Sequence, residues 1–533
     1  MIRLRSRIGA LLRLTSVSGA AAAVGIALAT MPIAAPMVAA QAKSKVTYAM
    51  GNAFDNLDPH VIFDVGRIAS RLNMYDGLLR WLDNPPKLQP WLAESYEITN
   101  DGKTYSFKLR KGAKFHDGSD IEAEDVVWSM ERILALNKGP AALFTDIIAP
   151  RSTKAIDKHT VQFNLSKQSA IFLATVPDIL VINADLVKKN IKDGDWGQAW
   201  LSRNDAGSGS FKLTRYDPAI GFVGARFAEH FIPWGKKYID EVEFRTVNEI
   251  NSRVLGLIRG DFQGVDGFMQ YDQILRMKES GKLAIHEEES MRIFYGAIHN
   301  ARSPMNDINF RKALSYAFDY DGFNNNILSG SVIRAPAPIP NNIWGAPKGL
   351  KGYSYDLEKA KEYLTKVKEP LREITIGALA GYGQTEQAAA LLQAGLTKIG
   401  VKSKILAEPW PVVQPRTFDE KQMYDVLFTW KSTYYADPHN WVGEMYGSDT
   451  IGSRNNSWYR NPEVDKLIRE ALVSTDMERR REIYEKVSTI VVDDAAGIFV
   501  YNTKWFGPMA KNLKGLRFSP VGVGLEARWL YYE

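Results

Sequence analysis

The chain has 533 residues, 45% of them apolar and 11% aromatic, with no cysteine and a formal charge of +6. The first 42 residues carry four arginines and no acid, so the remainder holds 63 basic against 61 acidic residues and is close to neutral. A disulfide scaffold is therefore excluded, the charge argument for a nucleic-acid partner fails, and 491 residues suffice for a large core.

The first segment reads as a secretory signal. Arg3, Arg5 and Arg7 precede a small-residue apolar run over 20–29, and Ala40-Gln41-Ala42 supplies a cleavage site before Lys43. The arginines are not adjacent, and the absence of cysteine removes any lipid attachment through one. An exported protein without a lipid anchor is expected, retained in a periplasm.

From residue 43 the pattern alternates between strands and helices. Period-two strands are predicted over 104–110, with Tyr105, Phe107 and Leu109 on one face, and over 160–165, with Val161 and Phe163. Between them Ser119 and Glu122 have capping-box spacing ahead of an amphipathic helix through Val126, Met130 and Ile133. Further helices are expected over 248–259, 307–319, 356–366 and 385–399. Gly400 closes the last of these and leads into a strand over 401–406. An apolar strand over 424–430 follows, then helices over 461–473 and 477–492 and an apolar run over 497–501. A helix closed by glycine and entering a β run is the signature of an α/β sheet. Pro336, Pro338, Pro340 and Pro347 bar regular structure over 335–347, which is expected to be an ordered surface loop.

No G-x-S-x-G, H-E-x-x-H, P-loop or strand-following G-x-G-x-x-G occurs. The seven histidines are scattered, and no metal or cofactor is expected. The residues 92–133, LAESYEITNDGKTYSFKLRKGAKFHDGSDIEAEDVVWSMERI, resemble the signature of the peptide/nickel family (family 5) of extracellular solute-binding proteins. GSGSFKL at 207–213, FRKALSYAFDYDGF at 310–323 and KIGVKSKI at 398–405 follow in that family's order. The resemblance implies an α/β, periplasmic-binding-protein-like fold of two lobes with a hinge. Lobe I would hold 43–80, 206–299 and a return segment 502–533, with an extra domain inserted over 81–205; lobe II would hold 300–501. It also implies a monomer that captures a small-molecule ligand and works with ABC permease and ATPase subunits. Neither nucleic acid nor a chemical step enters this reading.

In peptide-binding members a carboxylate placed three residues after a strand-ending Trp holds the ligand's amine. The matching stretch runs from Trp430 to Pro438, and counting from either end gives Thr433 or Tyr434, neither of them acidic. The candidate ligand-binding residues are therefore Trp410, Trp430, Thr433, Tyr434, Tyr435, Asp437 and Trp344. The aromatics offer flat amphipathic surfaces, and Asp437 or Asp425 a substitute charge. Arg334 and Arg416 are the cations considered for an anionic group. The ligand stays open at this stage among oligopeptide, sugar, opine-like conjugate and chelated metal. A periplasmic hydrolase, or a sensor or chaperone on the same fold, are the competing readings.

Overall fold

The structure is a computed structural model; it describes residues 44–533 apart from 65, 66, 236, 268 and 523. The secretory signal and its cleavage site fall outside the described residues.

Eleven strands form one sheet: β1 (Lys45–Met50), β2 (Phe211–Asp217), β3 (Gly221–Arg226), β4 (Glu241–Thr246), β5 (Gly264–Val265), β6 (Leu283–Ile298), β7 (Val332–Arg334), β8 (Ile374–Leu379), β9 (Ser403–Glu408), β10 (Val426–Lys431) and β11 (Gly497–Ala510). Their order is β2-β3-β4-β1-β5-β11-β6-β10-β8-β9, with β7 also on β11. The pairs β1/β4, β1/β5, β8/β9 and β8/β10 are parallel, and the central β6/β11 pair is antiparallel. Parallel neighbours need covered faces, which explains the near-continuous burial of β1 and of Val426, Leu427 and Phe428 on β10.

The two long central strands belong to both halves of the sheet. Residues 283–289 of β6 pair with 504–510 of β11, and residues 293–297 pair with 497–502. Between them the register breaks after Glu289 and resumes at Ile293. Such an irregularity bends and twists a strand locally. It is pinned by the Ser290 hydroxyl, which donates to the Thr503 carbonyl at 2.6 Å and accepts from the Arg292 N–H at 3.2 Å. The lobe boundary expected at 299/300 falls just after β6 ends at Ile298; the register break lies at 290–292, opposite 503.

Each half carries its own core. Phe54, Phe222 and Phe244 pack with β1 on one side, while Phe294, Phe318, Phe428 and Tyr501 pack on the other. A separate four-stranded sheet, Ala93–Thr99, Thr104–Leu109, Thr160–Asn164 and Lys154–Asp157, packs against the helix Ala123–Leu136 over a third core. That helix starts later than the Ser119 cap suggests. Its N-cap is Glu122, whose backbone N–H donates to Asp125 at 3.0 Å, while Ser119 bonds Asp117 and Asn183 instead.

Elsewhere the helix starts fall within a residue or two of those expected. Asp307, Asp356, Asn461 and Asp476 each accept from backbone N–H groups at their helix starts, as short polar caps do. Gly400 adopts φ +82°, a left-handed closure that suits glycine. The Pro-rich segment has neither helix nor strand, but Ala335, Ala337 and Ile339 are buried, so it is an interior loop rather than a surface one.

Candidate functional site

A cavity of about 360 Å³ lies where β10 ends beside the register break of β6. Asn52 and Asp64 reach it from the side of β1; Arg292 and Tyr295 come from β6; most of the remaining wall is built by residues after 378. A second cavity of about 550 Å³ shares Asn52, Arg292, Tyr382 and Trp430 with it, so these four residues stand between the two compartments.

Trp430 is held by its neighbours rather than left free. The Arg292 guanidinium lies 4.7 Å from its ring centroid, Phe294 packs at 5.0 Å and Tyr382 at 6.0 Å. Burial lowers the Arg292 pKa to about 10. A cation over an aromatic face is stabilised by the ring quadrupole, more so when desolvated.

Lys431, at the end of β10, carries the cavity's most constrained charge. Its Nζ lies 2.7 Å from the Glu444 carboxylate, and Arg454 approaches the same carboxylate at 3.8 Å. One carboxylate thus serves two cations. Despite burial, Lys431 and Arg454 hold Glu444 down to about 2 and therefore ionised. Burial dominates for Lys431, which shares that single carboxylate, and lowers it to about 8. Arg454 also covers the Tyr434 ring at 4.6 Å. Tyr434 in turn stacks on Phe63 with centroids 4.7 Å apart and planes at 23°, a contact between the two halves of the molecule.

The candidates named from sequence separate into three groups. Trp410, Trp430 and Tyr434 line the 360 Å³ cavity, with Trp410 43% exposed. Thr433 borders only a small neighbouring recess, fully buried, with its hydroxyl on the Met291 carbonyl at 3.1 Å. The other three lie outside the cavity walls. Tyr435 is buried and donates to Glu444 at 2.9 Å; Asp437 pairs with Arg480 at 2.8 Å and caps the turn that follows; Trp344 packs on Arg480 and Tyr484. Asp425 is bound by both Arg372 guanidinium nitrogens at 2.7 Å.

The cations weighed from sequence have structural partners as well. Arg416 pairs with Glu408 at 2.9 Å, and Arg334 donates to the carbonyls of Phe499 and Tyr353. Arg292, Lys431 and Arg454, which do face the cavity, were not singled out. The available signal was a lysine closing an otherwise apolar strand, VLFTWK. Among the described residues no helix is long and apolar enough to cross a membrane.

Residues 87–453 match the family described as bacterial extracellular solute-binding proteins, family 5. The chain is 32% identical over 495 residues to a probable D,D-dipeptide-binding periplasmic protein of Escherichia coli, covering 91% of this chain and 94% of that one. It is 29% identical to heme-binding protein A of Haemophilus influenzae, with coverage of 85% and 86%. Among solved structures, a periplasmic binding protein of Helicobacter pylori in complex with a peptide superposes with a TM-score of 0.80 at 23% identity, covering 92% and 99% of the two chains.

Proposed function

The chain belongs to family 5 of the bacterial extracellular solute-binding proteins, and from that membership we propose that it captures a small organic solute by closing two lobes over it and delivers it to the permease of an ABC importer. The observation that carries the reading is the pair of strands common to both halves, with their register break beside the cavity. Two strands crossing at one place allow the halves to rotate as near-rigid bodies. A ligand that touches both walls then shifts the population toward the closed form. The hinge in this reading is 290–292 with 503; most of the segment expected as an inserted domain has a core of its own around Phe107, Met130 and Phe163, while Leu180, Ile182, Val187 and Leu201 pack into the core of β1.

The relatives are described as binding a D,D-dipeptide and heme, so the family's ligands differ widely in shape. For this chain a peptide-sized organic solute fits the two compartments, with Trp430, Trp410 and Tyr434 as its aromatic surfaces. No catalytic step belongs to this function, and periplasmic residence after signal cleavage is part of it. Mass spectrometry of the solute released on denaturing the purified protein identifies the ligand. Adding that ligand to stripped protein should reduce the radius of gyration in solution scattering and raise the melting temperature. A ligand that binds without compaction would overturn lobe closure.

A further inference from the structure

The charge on the cavity wall goes beyond a generic solute site, although it rests on the capture reading above. Arg292, Lys431 and Arg454 all line the 360 Å³ cavity. Ile293 pairs in register with Lys431, and faces alternate along a strand, so Lys431 and Arg292 leave opposite faces of the two strands and reach the cavity from different sides, Arg292 over Trp430 and Lys431 beside Glu444. Against them, Asp64 is the single acid in that wall among the described residues, and Arg67 holds it at 2.7 Å. Glu444 stands behind the wall and is divided between Lys431 and Arg454. The inner end of the cavity therefore carries more positive than negative charge, on side chains fixed by an ion pair, a strand end and aromatic rings.

Two cations that divide one carboxylate, as Lys431 and Arg454 divide Glu444, are short of counter-charge unless another anion completes the set. We propose that the solute supplies it: a carboxylate, or an oxyanion of similar shape, seats on Lys431 and Arg454, while the rest of the ligand lies against Trp430 and Trp410. An ammonium at that position would meet like charges at close range and be rejected. Lys431 and Arg454 are thus specificity-determining residues, and the ligand class is an organic anion with a planar or apolar body.

The test is a panel of di- and tripeptides, each prepared as the free acid, the N-acetyl acid, the C-terminal amide and the doubly blocked form. Stripped protein is titrated by calorimetry, with melting temperature as the second readout. Both acid forms should bind, with the N-acetyl acid at least equal to the free acid, and both amidated forms should be weakened about tenfold or more, the scale of one charge-assisted hydrogen bond. Lys431→Met should erase the preference for acid over amide. If that variant fails to fold because Glu444 loses its partner, the double variant Lys431→Met with Glu444→Gln removes the pair as a unit and should give the same result. Amides that bind as tightly as acids overturn the anion assignment and leave solute capture standing. A panel in which no form binds, with no compaction in scattering, overturns both.

Discussion

Glu444 shows how one side chain can govern both stability and charge selection. With Lys431 at 2.7 Å and Arg454 at 3.8 Å, removing the carboxylate leaves the buried Lys431 and the half-buried Arg454 without it. Breaking a buried pair from one side costs about 3 to 5 kcal/mol, so Glu444→Gln should lower the free energy of unfolding by roughly that much in chemical denaturation. The same carboxylate makes the protein acid-sensitive. Its pKa falls from 4.5 to about 2 on folding, so its contribution is complete above about 4.5 and is lost as pH falls toward 2. The variant should show a flatter stability profile in that window. Lys431 titrates at the other end. Glu444 favours its charged form, Arg454 opposes it, and His439 and Tyr435 lie in the same buried group around Glu444. With its pKa at about 8, it loses its proton as pH rises, and affinity for a carboxylate ligand should decline above pH 8. Calorimetry from pH 6.5 to 9.5 checks this, and Lys431→Arg should remove the slope.

At the scale of elements, local chemistry decided what was legible. Helices with polar caps and glycine stops came out of the sequence within a few residues, because their signals are contiguous: Asp356 before Leu357–Leu364, and Gly400 after Gly383–Lys398. Strand β10 was equally clear from its unbroken apolar run. Strand β6 gave no such signal, since the charged, half-buried stretch His286 to Glu289 interrupts LAIHEEESMRIFYGAI before its apolar, buried end. Only the first third of β11 was recognised, because Lys504, Gly507 and Pro508 contradict local strand preference and are overruled by pairing with β6. The site followed the same division. Trp410, Trp430 and Tyr434 are aromatic and conspicuous, whereas Tyr435 turns inward to a glutamate nine residues away and Arg292 gains its place only through the fold. Helix packing gives a prediction of its own. A Cβ on Gly395 would lie 2.0 Å from the Ala317 carbonyl. Alanine gains about 1 kcal/mol in helix propensity, but a contact that close forces two helices apart, at a cost of about 1 to 3 kcal/mol or more. Gly395→Ala should therefore lower the melting temperature rather than raise it.

Across the whole molecule, the Phe63–Tyr434 stack is one of the contacts that join the halves, beside the Ala170 N–H donating to the Leu472 carbonyl and the Gly522 N–H donating to the Thr433 carbonyl. An aromatic pair of this kind contributes about 0.5 to 1.5 kcal/mol beyond its buried area. Tyr434→Ala should bias the ligand-free protein toward the open form, raising its radius of gyration in scattering. It should also weaken ligand binding about threefold to tenfold, the equilibrium equivalent of that contact. Phe63→Ala should reproduce the opening, and a scattering profile unchanged in both variants would show that the halves are held together elsewhere.

The central strands also set an order of assembly. A ribosome delivers the chain amino terminus first, and β11 is almost the last element to emerge. Until it arrives, β5 and β6 each lack their neighbour in the middle of the sheet, and the pairing of 283–289 with 504–510 spans more than two hundred residues. Contacts of such long sequence separation form slowly, and open strand edges invite pairing with other chains. The native sheet thus cannot close until the final stretch is available, and until then the facing edges of β5 and β6 stay open to pairing with other chains.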